Sequence, residues 1–118
     1  MSEERKKREG EDVEQTIKFE SEGVFLRAVL LGDIDHHSAA RMREAIDKML
    51  FREKPLSLIL DFSSVQFMDS SGIGLILGRL EMAAELGATV RLEGLSGQLS
   101  RLVRLSGIEK MKGLTVSV

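Results

Sequence analysis

Two adjacent stretches decide how this chain folds: Leu56-Ser57-Leu58-Ile59-Leu60-Asp61, and after a short interval Phe67-Met68-Asp69-Ser70-Ser71-Gly72-Ile73-Gly74. The first is a compact apolar run of the kind found in a central strand covered on both faces. The second passes into a helix-period stripe of Ile73, Ile76, Leu77, Leu80 and Ala84, with Gly87 as a left-handed stop. Leu75 and Met82 lie off that stripe and form a second apolar line, facing either a partner helix or a more widely buried core. The start of a helix exposes unpaired N–H groups and partial positive charge, so hydroxyls placed there, as Ser70 and Ser71 are, suit a charge-based switch.

Outward from this junction the same alternation repeats. Thr16-Ile17-Lys18-Phe19 and Val24 to Leu31 read as a hairpin turning at Ser21-Glu22-Gly23. Gly32-Asp33-Ile34-Asp35 ends the second strand. Met42, Ala45, Ile46, Met49 and Leu50 then predict a helix from about Ser38 to Phe51, capped by Asp35 or Ser38 and followed by the breaker Pro55. Thr89 to Leu92 reads as a strand. Ser96 opens a third helix through Leu99, Leu102 and Val103, Gly107 closes it, and Leu114 to Val118 reads as a last short strand. Strands alternating with helices predict an α/β domain with a mainly parallel, twisted sheet and right-handed crossovers.

Composition narrows the function. A length of 118 residues suits one core, and 17 basic against 19 acidic residues leave no global field for nucleic acid or an anionic membrane. Cysteine, tryptophan and tyrosine are absent, which removes thiolate metal sites and weakens base- or sugar-stacking readings. Residues 1–14 are nearly all charged, without a spaced apolar stripe or a signal-like segment. They read as a disordered arm in which Arg5-Lys6-Lys7-Arg8 is flanked by acids, ahead of a domain at 15–118. A cytoplasmic protein without direct nucleic-acid or membrane partners is expected. His36 and His37 lack a third ligand at metal-like spacing, so neither a metal nor a cofactor is expected.

Two catalytic readings fail on spacing. Asp33-Ile34-Asp35 resembles the first motif of haloacid-dehalogenase-like enzymes, but His37 stands where that family wants Thr or Val, and the chain is too short for the rest of its machinery. A serine nucleophile elbow wants glycine two residues before the serine, where Asp69 precedes Ser71 and Met68 precedes Ser70.

Gly32-Asp33-Ile34-Asp35-His36-His37 together with Phe67 to Arg79 resembles the bacterial anti-sigma factor antagonists, also called anti-anti-sigma factors, whose single domain is the STAS fold. The sporulation type is the nearest. Leu102 to Ile108 adds a weaker echo, so the likeness runs from about residue 15 to the end. The resemblance implies a four- to five-stranded mixed sheet with helices mainly on one side, and partner switching as the function. In that scheme the unphosphorylated protein binds an anti-sigma factor that is also a serine kinase, which frees an RNA polymerase sigma factor. Phosphorylation then releases it, and a serine phosphatase restores it.

By the same likeness the acceptor is Ser71, with Ser70 as the alternative, and Asp35 is a partner contact. Asp33, Asp69, Ser70, Gly72, Gly74 and Leu75 complete the expected partner surface, the glycines allowing close backbone approach. They could equally let the helix press on the sheet. A signalling module of the general-stress kind is the alternative role, although its motif often reads Asp-Ser-Thr-Gly. The likeness also implies a helix after the last strand. None fits before Val118, so a less covered, apolar sheet face favouring self-association is expected.

Overall fold

The computed structural model describes residues 16–117, and the expected charged arm lies outside them. Five strands and three α-helices follow in the order β1 (Ile17–Glu22), β2 (Phe25–Leu31), α1 (His36–Glu53), β3 (Ser57–Ser64), α2 (Ser70–Glu85), β4 (Thr89–Glu93), α3 (Gly97–Ser106) and β5 (Leu114–Val116). A single 3-10 turn, Ile108–Lys110, separates α3 from β5. The strands lie in sequence order across one sheet. β1 pairs antiparallel with β2, and β2 to β5 are parallel, so the sheet is mixed.

The hairpin is tighter than its sequence suggests. Ser21 and Glu22 remain in the ladder opposite Leu26 and Phe25, and the turn is made by Gly23 and Val24 alone, with Gly23 at φ +62°. A positive φ costs glycine nothing, which lets pairing continue to the last possible residue.

α1 is longer than its apolar stripe at both ends. Asp35 and Ser38 form a reciprocal cap: the Asp35 carboxylate accepts from Ser38 N–H at 2.9 Å, and Asp35 N–H donates to Ser38 Oγ at 3.0 Å. The helix therefore starts at His36. It stops when Lys54 turns left-handed and donates its N–H to the Leu50 carbonyl, directly before Pro55. α3 is capped as expected, by Ser96 at its start and by Gly107 at φ +82° at its end.

Leu26, Ala28 and Leu30 of β2, Leu58, Leu60 and Phe62 of β3, and Val90 and Leu92 of β4 share one buried cluster with the inward side chains of all three helices. The helices therefore cover one face of the sheet. This corrects the reading of β3 as covered on both faces: Ile59, pointing the other way, lies outside that cluster yet is only 6% exposed. It stands in register between Arg27 and Arg91, whose stems can lie across it.

The uncovered face is also less apolar than expected. Arg27 bridges neighbouring strands there, with Nη1 3.0 Å from Asp61 Oδ2 and 2.9 Å from Glu93 Oε1. Burial alone would raise the Asp61 carboxyl, but hydrogen bonds from Ser63 and the Arg27 charge outweigh it and leave it below the usual carboxylate range.

The α2 stripe is rotated from its sequence reading. Gly72, Leu75, Ile76, Arg79, Leu80 and Ala83 are the buried positions. Ile73 and Leu77 are half-buried and Ala84 is exposed. Of the two residues off the expected stripe, Leu75 belongs to the core and Met82 packs against it.

Candidate functional site

The site is made where two loops leave the sheet side by side. Beyond the ends of β2 and β3, Ile34 and Met68 form one further parallel bridge, with Ile34 N–H donating to the Phe67 carbonyl at 3.0 Å and Asp69 N–H to the Ile34 carbonyl at 3.2 Å. Both side chains are buried apolar anchors. The next residue in each loop is an aspartate that caps a helix, Asp35 for α1 and Asp69 for α2. The two helices therefore start together at the C-terminal edge of the parallel strands.

Asp69 accepts from the Ser71 N–H at 2.8 Å. The cap of α2 is thus a carboxylate, and neither serine serves as one. Ser70 is exposed and Ser71 half-buried, and neither hydroxyl has a hydrogen-bond partner among the described residues. At Asp35 the Ser38 N–H is the main cause, and the Ser38 hydroxyl and the His37 N–H add to it, holding the carboxyl below its usual range. Ser38 Oγ also donates to the Asp33 carbonyl at 3.0 Å, so Asp33 is tied through its backbone while its residue stays exposed. His36 and His37 occupy the first turn of α1, their ring centroids 5.8 Å apart edge to face.

The two glycines differ. A Cβ on Gly72 would lie 2.5 Å from Met68 Sδ and 3.0 Å from its Cγ, so Gly72 is required by packing against the bridge. A Cβ on Gly74 would meet nothing within 4 Å, and the same holds for Gly78 one turn on. Their bareness opens a groove of about 500 Å³ between α1 and α2, lined by His36, Ala39, Ala40 and Arg43 on one side and Ser71, Gly74, Leu75, Gly78 and Arg79 on the other. Leu75 is 4% exposed and forms groove wall more than free surface.

The structure thus brings Asp33, Asp35, Asp69, Ser70 and Ser71 to one edge, with Gly74 just below. Sequence reasoning missed Arg43 and Arg79, which line the far part of the groove, and Asp47 of α1, which lies outside its lining and holds Arg79, Nε to Oδ1 at 2.8 Å. The available signal was a charged residue recurring on the face of Ser71 and Leu75, at i+8 and i+4.

Comparison with known proteins agrees with this architecture. The STAS domain family matches residues 19–117. An anti-sigma F factor antagonist of Paenibacillus polymyxa is 32% identical over 95 residues, covering 80% of this chain and 81% of that protein. An anti-sigma-B factor antagonist of Bacillus subtilis is 32% identical over 80 residues, covering 68% and 72%. The structure of the Bacillus cell fate determinant SpoIIAA in its phosphorylated form superposes with a TM-score of 0.66 at 25% identity, covering 86% of this chain and 91% of that one. With the family match spanning nearly every described residue and antagonists at 32% identity over most of the chain, this protein belongs to the STAS domain family.

Proposed function

We propose that this protein is a non-enzymatic anti-sigma factor antagonist of the cytoplasm. Unphosphorylated, it binds an anti-sigma factor with serine-kinase activity and so frees an RNA polymerase sigma factor. Phosphorylation at Ser71 switches it off, and a serine phosphatase restores it. The names of the relatives support the class. The observation that carries the switch is the Ser71 hydroxyl: it sits in the first turn of a helix already capped by Asp69, half-accessible, with no hydrogen bond to lose.

A phosphate adds roughly −1.5 to −2 charge. The positive end of α2 can accept that charge within the protein, whereas a docked acid at the same place would be repelled. Asp35 and Asp69 would add like charge from the neighbouring caps. No change of fold is needed for such a release. Asp33, Ser70, Gly72, Gly74 and Leu75 complete the proposed docking region, Gly72 and Leu75 acting from beneath by shaping it. Among the described residues no helix is long and apolar enough to cross a membrane.

The test is intact mass and phosphopeptide mapping after incubation with a sporulation-type anti-sigma kinase, ATP and Mg²⁺. One phosphate on Ser71 with loss of kinase binding is the expected result. Phosphate on Ser70 moves the site by one residue. Failure to bind the kinase with ADP and failure to be phosphorylated overturn the reading. The equal identity to the anti-sigma-B relative supports a second reading, a general-stress partner switch; binding to that kind of anti-sigma kinase alone selects it.

A further inference from the structure

The groove between α1 and α2 is more positive than its small-residue walls suggest. Arg43 and Arg79 are the formally charged residues that line it, and no carboxylate does. Arg79 is only 5% exposed. Its Nε sits 2.8 Å from Asp47 Oδ1, yet both atoms are sealed from solvent and neither has a hydrogen-bond partner, so the pair is held by charge without an aligned hydrogen bond. No other contact of the Arg79 guanidinium engages an acceptor among the described residues. Arg43 is exposed and has no ion pair there. Arg79 is thus matched by Asp47. Arg43, which stands between this trough and a neighbouring depression that also holds Glu44 and Asp47, presents a guanidinium without an ion pair among the described residues beside the space that Gly74 and Gly78 keep open.

An exposed guanidinium without an ion pair is a charge that an incoming carboxylate can meet with little desolvation of the arginine. The walls, Ala39, Ala40 and Leu75, suit the methylene stem of a side chain, and the Arg43 charge suits its carboxylate. Resting on the docking reading above, we infer that this groove is a carboxylate seat, which receives an acidic side chain of the anti-sigma partner and recognises it through Arg43. Ser71 lines the same groove, so its phosphate and the partner's acid compete for one counter-charge. That competition gives the modification a specific target within the interface.

Two measurements test the seat. In the first, wild type, Arg43→Gln, Arg43→Lys and Arg41→Gln are titrated against the anti-sigma kinase with ADP at several ionic strengths. Arg41 is exposed on the same helix and does not line this groove, so its variant is the control. The expected result is about tenfold weaker binding and a shallower salt dependence for Arg43→Gln, partial retention for Arg43→Lys, and no change for Arg41→Gln. Binding of Arg43→Gln within about twofold of wild type would overturn the seat while leaving the antagonist reading intact.

The second needs no kinase. A capped hexapeptide alternating Glu and Ala is titrated into labelled protein and followed by amide NMR, with a Gln-for-Glu peptide as control. Shifts confined to Ala40, Gly74 and Gly78, absent with the Gln peptide and absent in Arg43→Gln, support the seat. No shifts in wild type, or equal shifts with both peptides, refute it even if the kinase experiment fails because the antagonist reading is wrong.

Discussion

Ile34 and Met68 are bridged beyond the ends of their strands, and this one contact sets the spacing between the two capping aspartates, Asp35 and Asp69. Both anchors are buried, at 0% and 4% exposure, so the edge that carries the serines is held by the core as firmly as the strands themselves. A site preorganised in this way needs little ordering when a partner docks.

Because Asp69 caps α2 and Ser70 does not, Asp69→Ala is expected to cost about 1 kcal/mol of stability. Ser70→Ala is expected to stay within about 0.5 kcal/mol of wild type. Urea melts of the two variants decide this, and a larger loss from Ser70→Ala would assign the cap to the hydroxyl.

Ser71→Ala removes a half-exposed hydroxyl with no partner, so unfolding should be almost unchanged and kinase binding retained, while incorporation of phosphate is lost. Ser71→Asp is expected to weaken binding, by less than a phosphate does because its charge is smaller. Calorimetric titration with ADP present reads both.

The glycines of α2 should respond in opposite directions. Gly72→Ala forces a methyl against Met68 and is expected to destabilise by roughly 1–3 kcal/mol. Gly78→Ala meets open space and should stabilise the helix by roughly 0.5–1 kcal/mol while narrowing the groove and weakening partner binding. Thermal melts paired with binding isotherms check this; tighter binding by Gly78→Ala would show that the groove is not used.

Asp35 gives a pH signature. Its carboxyl is held below the ordinary 3.8 in the folded protein. The stability it contributes is therefore fully present above the unfolded-state value and lost as pH falls through the lower folded one. Asp35→Asn keeps a capping side chain but not the charge. Between about pH 6 and about pH 3 the variant is expected to lose less stability than wild type in urea melts. Parallel losses would remove Asp35 from the acid response.

The order of elements, the caps at Ser96 and Gly107, and the loops bearing Asp35 and Asp69 were all legible in the sequence, because each has a local cause in turn chemistry or apolar spacing. The buried side of α2 was not. Ile73, Leu75, Ile76, Leu77 and Leu80 offer several acceptable stripes, and only contact with α1 and Met68 selects Leu75 and Gly72 over Leu77 and Ala84. Arg79 with Asp47, and Arg27 with Asp61 and Glu93, pair across long separations in the chain, and no local rule foretells which charges meet. The ionic cluster on the open sheet face was hidden for the same reason.

Assigning the cap of α2 to Asp69 separates architecture from signalling. A serine that held the helix start would surrender that bond on modification, and each cycle would strain the fold. Here the hydroxyl at Ser71 is structurally idle. A phosphate could be written there and erased repeatedly on an unchanged scaffold, so the energy separating the two states would reside in the covalent mark alone and none of it in refolding.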